Sequence, residues 1–343
     1  MLLPFGTRSS INTMNQQPPV NSAFEQLTPD KILAAAEEAT GLQLTGLTRA
    51  LPSYINRVYE LRATNGTQLI AKFYRPDRWT LDAIRDEHAF VMDCSTAEVP
   101  VVAPLPLSNN ATVYTYEGIH IAVYPKRAGR QFESTGDTDW LRLGMLLGRV
   151  HTAAKQQIAQ HRIKLHPQAS LHNDVTFLCE HIIPSHYNKQ YESIAERIIG
   201  IATPLFDATE CIRIHGDCHS GNILNRLDDG LMLIDFDDMA MGPPVQDLWL
   251  LLPDRAAESP HELSLLIEGY ENFRTFDRTS IRCIEPLRAM RMIYFLAWCS
   301  RQSNDVQFKR NFPEWNSDRF WQREITDLQD QEIQILKSLE MTA

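Results

Sequence analysis

The sequence predicts an α+β fold of two lobes, a β-rich N-terminal lobe followed by a mainly helical C-terminal lobe. Alternating polar and apolar residues with turn signals fill much of residues 42–125, and helical spacing of apolar residues prevails from Thr138 onward. Between these two regions, residues 124–131 show no periodicity and mark a hinge. The 343 residues are enough for two lobes. We divide the chain into a disordered tail at 1–26, an N-terminal lobe at 27–125 and a C-terminal lobe at 126–343.

Composition and charge exclude several classes of protein. Hydrophobic residues make up 43% of the chain and charged residues 22%, as in an ordinary folded protein. The formal net charge of −10 disfavours binding to nucleic acid or to an anionic membrane. No apolar run is long enough to span a membrane, and the six cysteines lack the spacing of a disulfide framework. We therefore expect a soluble cytoplasmic protein with reduced thiols, whose first 22 or so residues, rich in Ser, Asn, Gln and Pro, form a loose tail.

The first elements are a short helix and a β-hairpin. Thr28 and Pro29 are typical of a helix start and Gly41 of a helix end. Strands are predicted at 42–51, 57–64 and 67–74. Asn65 and Gly66 join the last two, and we expect positive φ at both positions of this turn.

A lysine and a glutamate follow each other on a strand and a helix. Lys72 lies in the strand at 67–74, and residues 79–92 show helical spacing with Glu87 beside the apolar stripe. Taken singly, each is more often a solvent-exposed residue. Together they match the arrangement in which an ammonium group contacts nucleotide phosphates and a carboxylate fixes its position.

The elements that follow are predicted from periodicity and turn signals, and they carry little evidence about chemistry. Strands at 111–117 and 119–125 meet at Glu117 and Gly118, and a helix follows with Thr138 as its cap. Residues 160–210 give no clear assignment, and the histidines in and beside this region have no metal-site spacing. Further helices are predicted in the segments that follow the motif described next, namely 242–252, 262–300 and 316–340.

The strongest signal is HGDCHSGNIL at 215–224 followed by LIDFDD at 233–238. Each part follows a short apolar strand, so Asp217, Asn222 and Asp235 are presented at strand ends and in a loop. An Asp and an Asn separated by four residues can accept a hydroxyl proton and hold a metal, and a later Asp can bridge magnesium to phosphate. Because phosphoryl transfer depends mainly on positioning and charge neutralisation, these residues predict that reaction.

Neighbouring residues have simpler interpretations. We expect His215 to pack and hydrogen-bond inside the loop, and Asp247 to tie backbone near it. Asp237 and Asp238 could bind a second metal or lie in a solvated turn. A zinc site at Cys218 and its flanking histidines is disfavoured because a fourth ligand and paired spacing are missing.

These motifs, with GPPVQDLW at 242–249, resemble bacterial kinases related to aminoglycoside and choline phosphotransferases, and within them the stress response kinase group. The likeness runs from about Leu27 to the C-terminus. It implies a fold like that of eukaryotic Ser/Thr protein kinases, with a nucleotide-binding first lobe and a catalytic second lobe. It also implies ATP and Mg²⁺ as cosubstrate and cofactor, and a Ser/Thr hydroxyl of a protein, or of the chain itself, as acceptor in a stress response. We expect a monomer without nucleic-acid or membrane partners.

The resemblance also implies a role for each site residue. Asp217 would accept the proton, Asn222 and Asp235 would hold Mg²⁺, and Lys72 would contact phosphate with Glu87 as its partner. The group's SYxNRVY segment reads SYINRVY at 53–59, which makes Ser53 a candidate nucleotide contact. The sequence departs from its relatives at Ile55, where they carry an acidic residue.

Alternatives remain open on the sequence alone. No G-x-G-x-x-G precedes Lys72, and the segment from Asp235 to Asp247 is too short for a phosphorylated activation loop. That short segment favours the alternative of a small-molecule hydroxyl kinase, which an acidic pocket for a cationic acceptor would support. A regulator without transfer activity should have lost one of the three motif residues, and a metal-dependent hydrolase leaves Lys72 and Glu87 without a role.

Overall fold

The computed structural model describes residues 24, 27–53, 55–226, 230–303 and 306–341. A five-stranded antiparallel sheet dominates the first part of the chain and helices dominate the second. The predicted α+β class with a β-rich first lobe and a helical second lobe is therefore confirmed. The predicted tail at 1–26 lies outside the described residues except for Phe24, which is buried among apolar residues of the first lobe.

In the part of the first lobe from residue 27 that the structure describes, two helices accompany one sheet, whose strand order is β1-β2-β3-β5-β4. Its elements are α1 (Pro29–Thr40), β1 (Leu44–Leu51), β2 (Arg57–Ala63), β3 (Gln68–Phe73), α2 (Leu81–Thr96), β4 (Tyr114–Tyr116) and β5 (Ile119–Pro125). As predicted, the Thr28 side chain caps α1 by accepting from the Lys31 N–H, and Gly41 ends it with a left-handed φ of 69°.

The two hairpins of this sheet differ from the prediction in their turns. At Asn65–Gly66 only Gly66 has positive φ, 91°, and the Gly66 N–H donates to the carbonyl of Ala63. The prediction of positive φ at both positions was therefore wrong here. The two-residue turn with positive φ throughout lies instead at Glu117 (47°) and Gly118 (83°), directly between β4 and β5.

In its described residues, the second lobe is mainly helical with two small sheets. Its regular elements are β6 (Arg130–Gln131), α3 (Asp137–Ala154), α4 (His172–His181), α5 (Ser185–Asp207), β7 (Ile212–Ile214), β8 (Ile223–Arg226), β9 (Gly230–Leu233), β10 (Ala240–Gly242), α6 (Val245–Trp249), α7 (Pro260–Glu271), α8 (Ile284–Gln302), α9 (Val306–Asn311) and α10 (Asp318–Met341). β7 pairs with β10, and β8 lies between β6 and β9. Among the helices described, none combines the length and apolar character needed to cross a membrane.

The start of α3 corrects one prediction. Gly136 occupies the cap position and Thr138 lies inside the helix. The hydroxyl and the N–H of Thr135 both donate to the Asp139 carboxylate, at 2.8 and 2.9 Å. The side-chain contact at the start of this helix is therefore made by Thr135 and Asp139, and not by Thr138.

Helix α2 belongs to the cores of both lobes. Its first half carries Glu87, and its second half buries Phe90, Val91 and Cys94 in the apolar core of the second lobe. The Phe90 ring packs edge-on against Phe236 at 5.4 Å. Helix α2 thus fixes Glu87 relative to the turn that follows Asp235.

Candidate active site

The HGD loop follows the buried strand β7 and is shaped by Gly216. This residue has a φ of 85°, and a Cβ placed there would lie 2.1 Å from the carbonyl oxygen of Asp238. Only glycine therefore lets the loop approach the segment after Asp235 so closely. Asp217, which comes next, is only 6% exposed.

Asp247 holds the backbone of this loop, as predicted. Its carboxylate accepts from the N–H groups of His215 and Gly216 at 2.7 and 2.9 Å, and from His151 Nε2 at 2.9 Å. His215 donates from Nε2 to the carbonyl of Ile234 at 2.9 Å and packs on Phe236, which confirms its predicted role inside the loop. The loop is therefore anchored at both its backbone and its first side chain.

Asp247→Asn is expected to lower the free energy of unfolding by about 3 to 5 kcal/mol, because buried donors that lose a partner cost about 1 to 3 kcal/mol each. Urea unfolding would measure this loss. Asp254→Asn, at an exposed carboxylate, is the matched control and should change stability little. A loss below about 1 kcal/mol in Asp247→Asn would contradict the anchoring role of this carboxylate.

Asp217 is surrounded by cationic and amide groups. Arg291 from α8 donates to its Oδ1 at 3.0 Å, and His219 Nε2 lies 3.4 Å from Oδ2. Asn222 donates from its side-chain amide to the Asp217 carbonyl at 2.9 Å. Burial opposes ionisation of the carboxyl, but the contacts of His219 and Arg291 outweigh it and lower the pKa of Asp217. At neutral pH this side chain is a carboxylate.

Asp235 lies after β9 on the open side of this cluster. Its φ of 61° is left-handed, and its side chain remains 55% exposed while Phe236 is buried. Lys72 Nζ lies 3.0 Å from Asp235 Oδ1. The N–H of Ile234, next to Asp235, donates to the carbonyl of Asn222 at 2.9 Å. The Asp235 carboxylate and the Asn222 amide carry oxygen ligands of the type that Mg²⁺ prefers together with water and phosphate oxygens, so these residue types fit that metal.

Asp237 and Asp238 are buried, so of the two alternatives, a second metal site or a solvated turn, the solvated turn was wrong. Arg78 bridges Asp237 Oδ2 and Asp238 Oδ1 at 2.8 and 2.6 Å, and Lys72 lies 3.1 Å from Asp237 Oδ1. Burial disfavours the charged form of Asp237, but Arg78 and Lys72 overcome this and hold the pKa of Asp237 well below its usual range. Both carboxylate oxygens of Asp237 thus already contact cations.

Lys72 is not a solvent-facing strand lysine. It lies on β3 opposite Val58 and Ala122 and is 6% exposed. Its Nζ is 3.7 Å from Glu87 Oε1, a longer distance than to the two aspartates. Burial lowers the pKa of Lys72, but Asp235, Asp237 and Glu87 raise it well above its usual value, so the ammonium stays charged.

A buried cluster of hydroxyl groups surrounds His88 behind Glu87. The Tyr74 hydroxyl lies 3.0 Å and the Tyr124 hydroxyl 3.2 Å from His88 Nε2, and Thr112 lies 2.7 Å from Nδ1. Burial and then the charges of Lys72 and Arg162 lower the pKa of His88 to about 3. The imidazole is therefore neutral in the folded protein.

This histidine predicts a loss of stability in mild acid. Because the pKa of His88 is about 3 in the folded state and 6.5 otherwise, the unfolded chain binds the proton first as the pH falls. Between pH 7 and pH 5 the free energy of unfolding should drop by about 2 kcal/mol from this group. Urea unfolding of wild type and His88→Gln at both pH values would measure the difference. An equal pH dependence in both proteins would exclude His88 as its source.

Ser53 stands apart from the other predicted residues. It is half-buried in the coil between β1 and β2, and its neighbour Tyr54 lies outside the described residues. Within the described ranges, no hydrogen bond or ion pair joins Ser53 to Lys72, Asp217 or Asp235, so its nucleotide contact stays a prediction. The structure brings Lys72, Glu87 and Asp235 together, and Asn222 against Asp217.

Sequence reasoning missed three arginines of this site. Arg78, Arg162 and Arg291 contact residues 160, 75 and 74 positions away, respectively. None of them lies in a recognisable motif, so no local pattern pointed to them.

The chain is similar to several known proteins. The model of the phosphotransferase enzyme family matches residues 47–283. Stress response kinase A of Escherichia coli (strain K12) is 38% identical over 321 residues, which cover 91% of this chain and 95% of that protein. Serine/threonine protein kinase RdoA of Salmonella typhimurium (strain LT2) is 37% identical over 310 residues, covering 90% and 93%.

A solved structure shares the fold. Amicoumacin kinase hAmiN, in complex with AMP-PNP, Ca²⁺ and Ami, superposes with a TM-score of 0.70 over 90% of this chain and 96% of that chain. The two sequences are 17% identical, so this likeness concerns the two-lobed kinase-like fold.

Proposed function

The chain belongs to the phosphotransferase enzyme family and is a kinase, and from this premise we propose that it transfers the γ-phosphoryl group of ATP to a Ser or Thr hydroxyl of protein in a bacterial stress response. The observation that carries the choice of acceptor is the close likeness, over 90% of the chain, to a relative named serine/threonine protein kinase. The Lys72–Asp235 pair, and the hydrogen bonds that join the Asp217 loop to Ile234 next to Asp235, support the reaction itself.

In this proposal the residues act on charge and position. The acceptor oxygen attacks the γ-phosphorus, its proton passes to an Asp217 carboxylate oxygen, and the bond from the γ-phosphorus to the bridging oxygen breaks to release ADP. The lowered pKa of Asp217 keeps it unprotonated before the step. Lys72 contacts the phosphates, and Ser53 with nearby backbone amides covers them in place of a glycine-rich loop.

Asn222 and Asp235 would hold Mg²⁺, which neutralises phosphate charge when bound. Lys72 lies between Asp235 and Asp237, next to the carboxylate that would hold the metal. Its raised pKa keeps it cationic for that contact.

Transfer of labelled γ-phosphate by purified protein with Mg²⁺ tests the acceptor. Generic protein substrates, the protein itself and a panel of hydroxyl compounds would be compared, with Asp217→Asn as the background control. We expect label on protein with wild type alone. Label confined to small hydroxyl compounds would overturn the protein acceptor and establish the alternative that the short segment after Asp235 favours.

A further inference from the structure

Arg162 joins the two halves of the nucleotide site through one buried guanidinium group. Its Nη2 donates to Glu87 Oε2 at 2.7 Å. Its Nη1 donates to the carbonyl of Asp237 at 2.7 Å, and its Nε to the carbonyl of Ala83, also at 2.7 Å. The side chain is fully buried and lies in the coil after α3. One residue of the second lobe therefore binds α2 and the segment after Asp235 at the same time.

The plane of this guanidinium group is fixed by an aromatic ring. The Arg162 Cζ lies 3.8 Å from the centroid of the Trp79 ring, and Trp79 is 5% exposed. A planar group with five donors can stack and donate in three directions at once. A lysine ammonium has neither the plane nor the reach to satisfy Glu87 and both carbonyls together.

These contacts decide which oxygen of Glu87 faces the lysine. Arg162 takes Oε2, while Oε1 lies 3.7 Å from Lys72 Nζ and 3.2 Å from the Tyr74 hydroxyl. Because Arg162 contacts it, Glu87 keeps a cationic partner even when Lys72 moves to contact phosphate. Without Arg162, the buried Glu87 carboxylate would then be left without a nearby positive charge, which costs considerable free energy.

We infer that Arg162 is a positioning residue of the nucleotide site, which holds Glu87 and the segment from Asp235 to Met239 in the arrangement that binds ATP before the nucleotide arrives. This inference rests on the proposed function. The buried hydrogen bonds of Arg162 to Glu87 and to the Asp237 carbonyl are the contacts that carry it.

Binding of AMP-PNP with Mg²⁺, measured by calorimetry, tests this inference without any acceptor. Arg162→Met is expected to weaken binding about tenfold or more, and Arg162→Lys by a similar factor because charge alone does not restore the contacts. Glu87→Gln should weaken binding as well. If the two residues act as one unit, the double variant that combines Arg162→Met with Glu87→Gln should bind AMP-PNP at most about threefold more weakly than the single variant with the lower affinity.

Arg213→Met is the matched control for losing a buried arginine. Arg213 donates to the carbonyls of Ala153 and Ala154, pairs with Asp93 of α2 at 2.7 Å and lies 4.8 Å from the ring of Phe90. Among its described hydrogen bonds and ion pairs, its side chain makes none with Glu87 or with residues 235–239. Arg213→Met should lower the unfolding temperature about as much as Arg162→Met does, but leave the affinity for AMP-PNP within about threefold of wild type.

The outcomes separate the inference from the proposed function. Absence of AMP-PNP binding by wild type would remove the proposed function itself. The positioning role would be overturned if folded Arg162→Met or Arg162→Lys bound AMP-PNP within about threefold of wild type. It would also be overturned if the losses of binding free energy in the two single variants simply added in the double variant. If Arg162→Met does not fold, the lysine variant and its combination with Glu87→Gln decide the same question.

Discussion

Asp217→Asn is expected to slow phosphoryl transfer by about 10²- to 10⁴-fold, the usual contribution of a positioned general base. The amide cannot accept the proton that leaves the acceptor hydroxyl. The rate constant for transfer of labelled γ-phosphate, measured with saturating ATP and Mg²⁺, gives the effect directly.

The structure makes this substitution a clean probe. Arg291 can donate to an amide oxygen as it does to the carboxylate, and the loop backbone stays anchored by Asp247. Affinity for AMP-PNP should therefore change little. Asp330→Asn, at an exposed position of α10, serves as control for the loss of one carboxylate. Turnover near the wild-type rate in Asp217→Asn would remove this residue from the role of base.

Prediction of the fold from the sequence succeeded where local patterns are strong. The periodicity of β2 and β3 and the cap and glycine of α1 are set by neighbouring residues. The prediction of the Asn65–Gly66 turn conformation was wrong because the twist and register of both strands determine a turn, as well as its two residues. Residues 160–210 escaped assignment, and they contain an irregular π-helical turn at Pro167–Leu171 before α4.

The residues predicted for the site are ones that chemistry fixes at a short spacing, and their catalytic and binding roles stay predictions. Asp217 and Asn222 share one loop, and Lys72 and Glu87 follow each other on adjacent elements. The cations around them, Arg78 and Arg291 among them, come from distant parts of the chain and are brought in only by packing. A sequence shows that a buried carboxylate needs a partner, but the fold decides which arginine supplies it.

Asp237 and Asp238 show how charge pairing changes an interpretation. The sequence left two interpretations for these consecutive acidic residues, a second metal site or a solvated turn, yet both side chains are buried against Arg78. The pKa of Asp238 is raised well above its usual value, first by burial, whereas cationic neighbours lower that of Asp237. Adjacent identical residues thus have opposite shifts because their partners differ.

Asp235→Ala is expected to abolish the metal-dependent part of ATP binding. Asp235 is the exposed carboxylate of the cluster, whereas Asp237 and Asp238 contact Lys72 and Arg78 and cannot replace it without giving up those buried pairs. Calorimetry with AMP-PNP, with and without Mg²⁺, would show a large difference for wild type and none for the variant.

The left-handed backbone at Asp235 calls for a second variant. Alanine is disfavoured at a φ of 61°, while asparagine tolerates it, so Asp235→Asn removes the charge with less backbone strain. Loss of the Mg²⁺ effect in both variants assigns it to the carboxylate, since only the alanine variant changes the backbone preference. Loss in the alanine variant alone would instead assign it to the conformation of the turn, and an unchanged Mg²⁺ effect in both would show that the metal is held elsewhere.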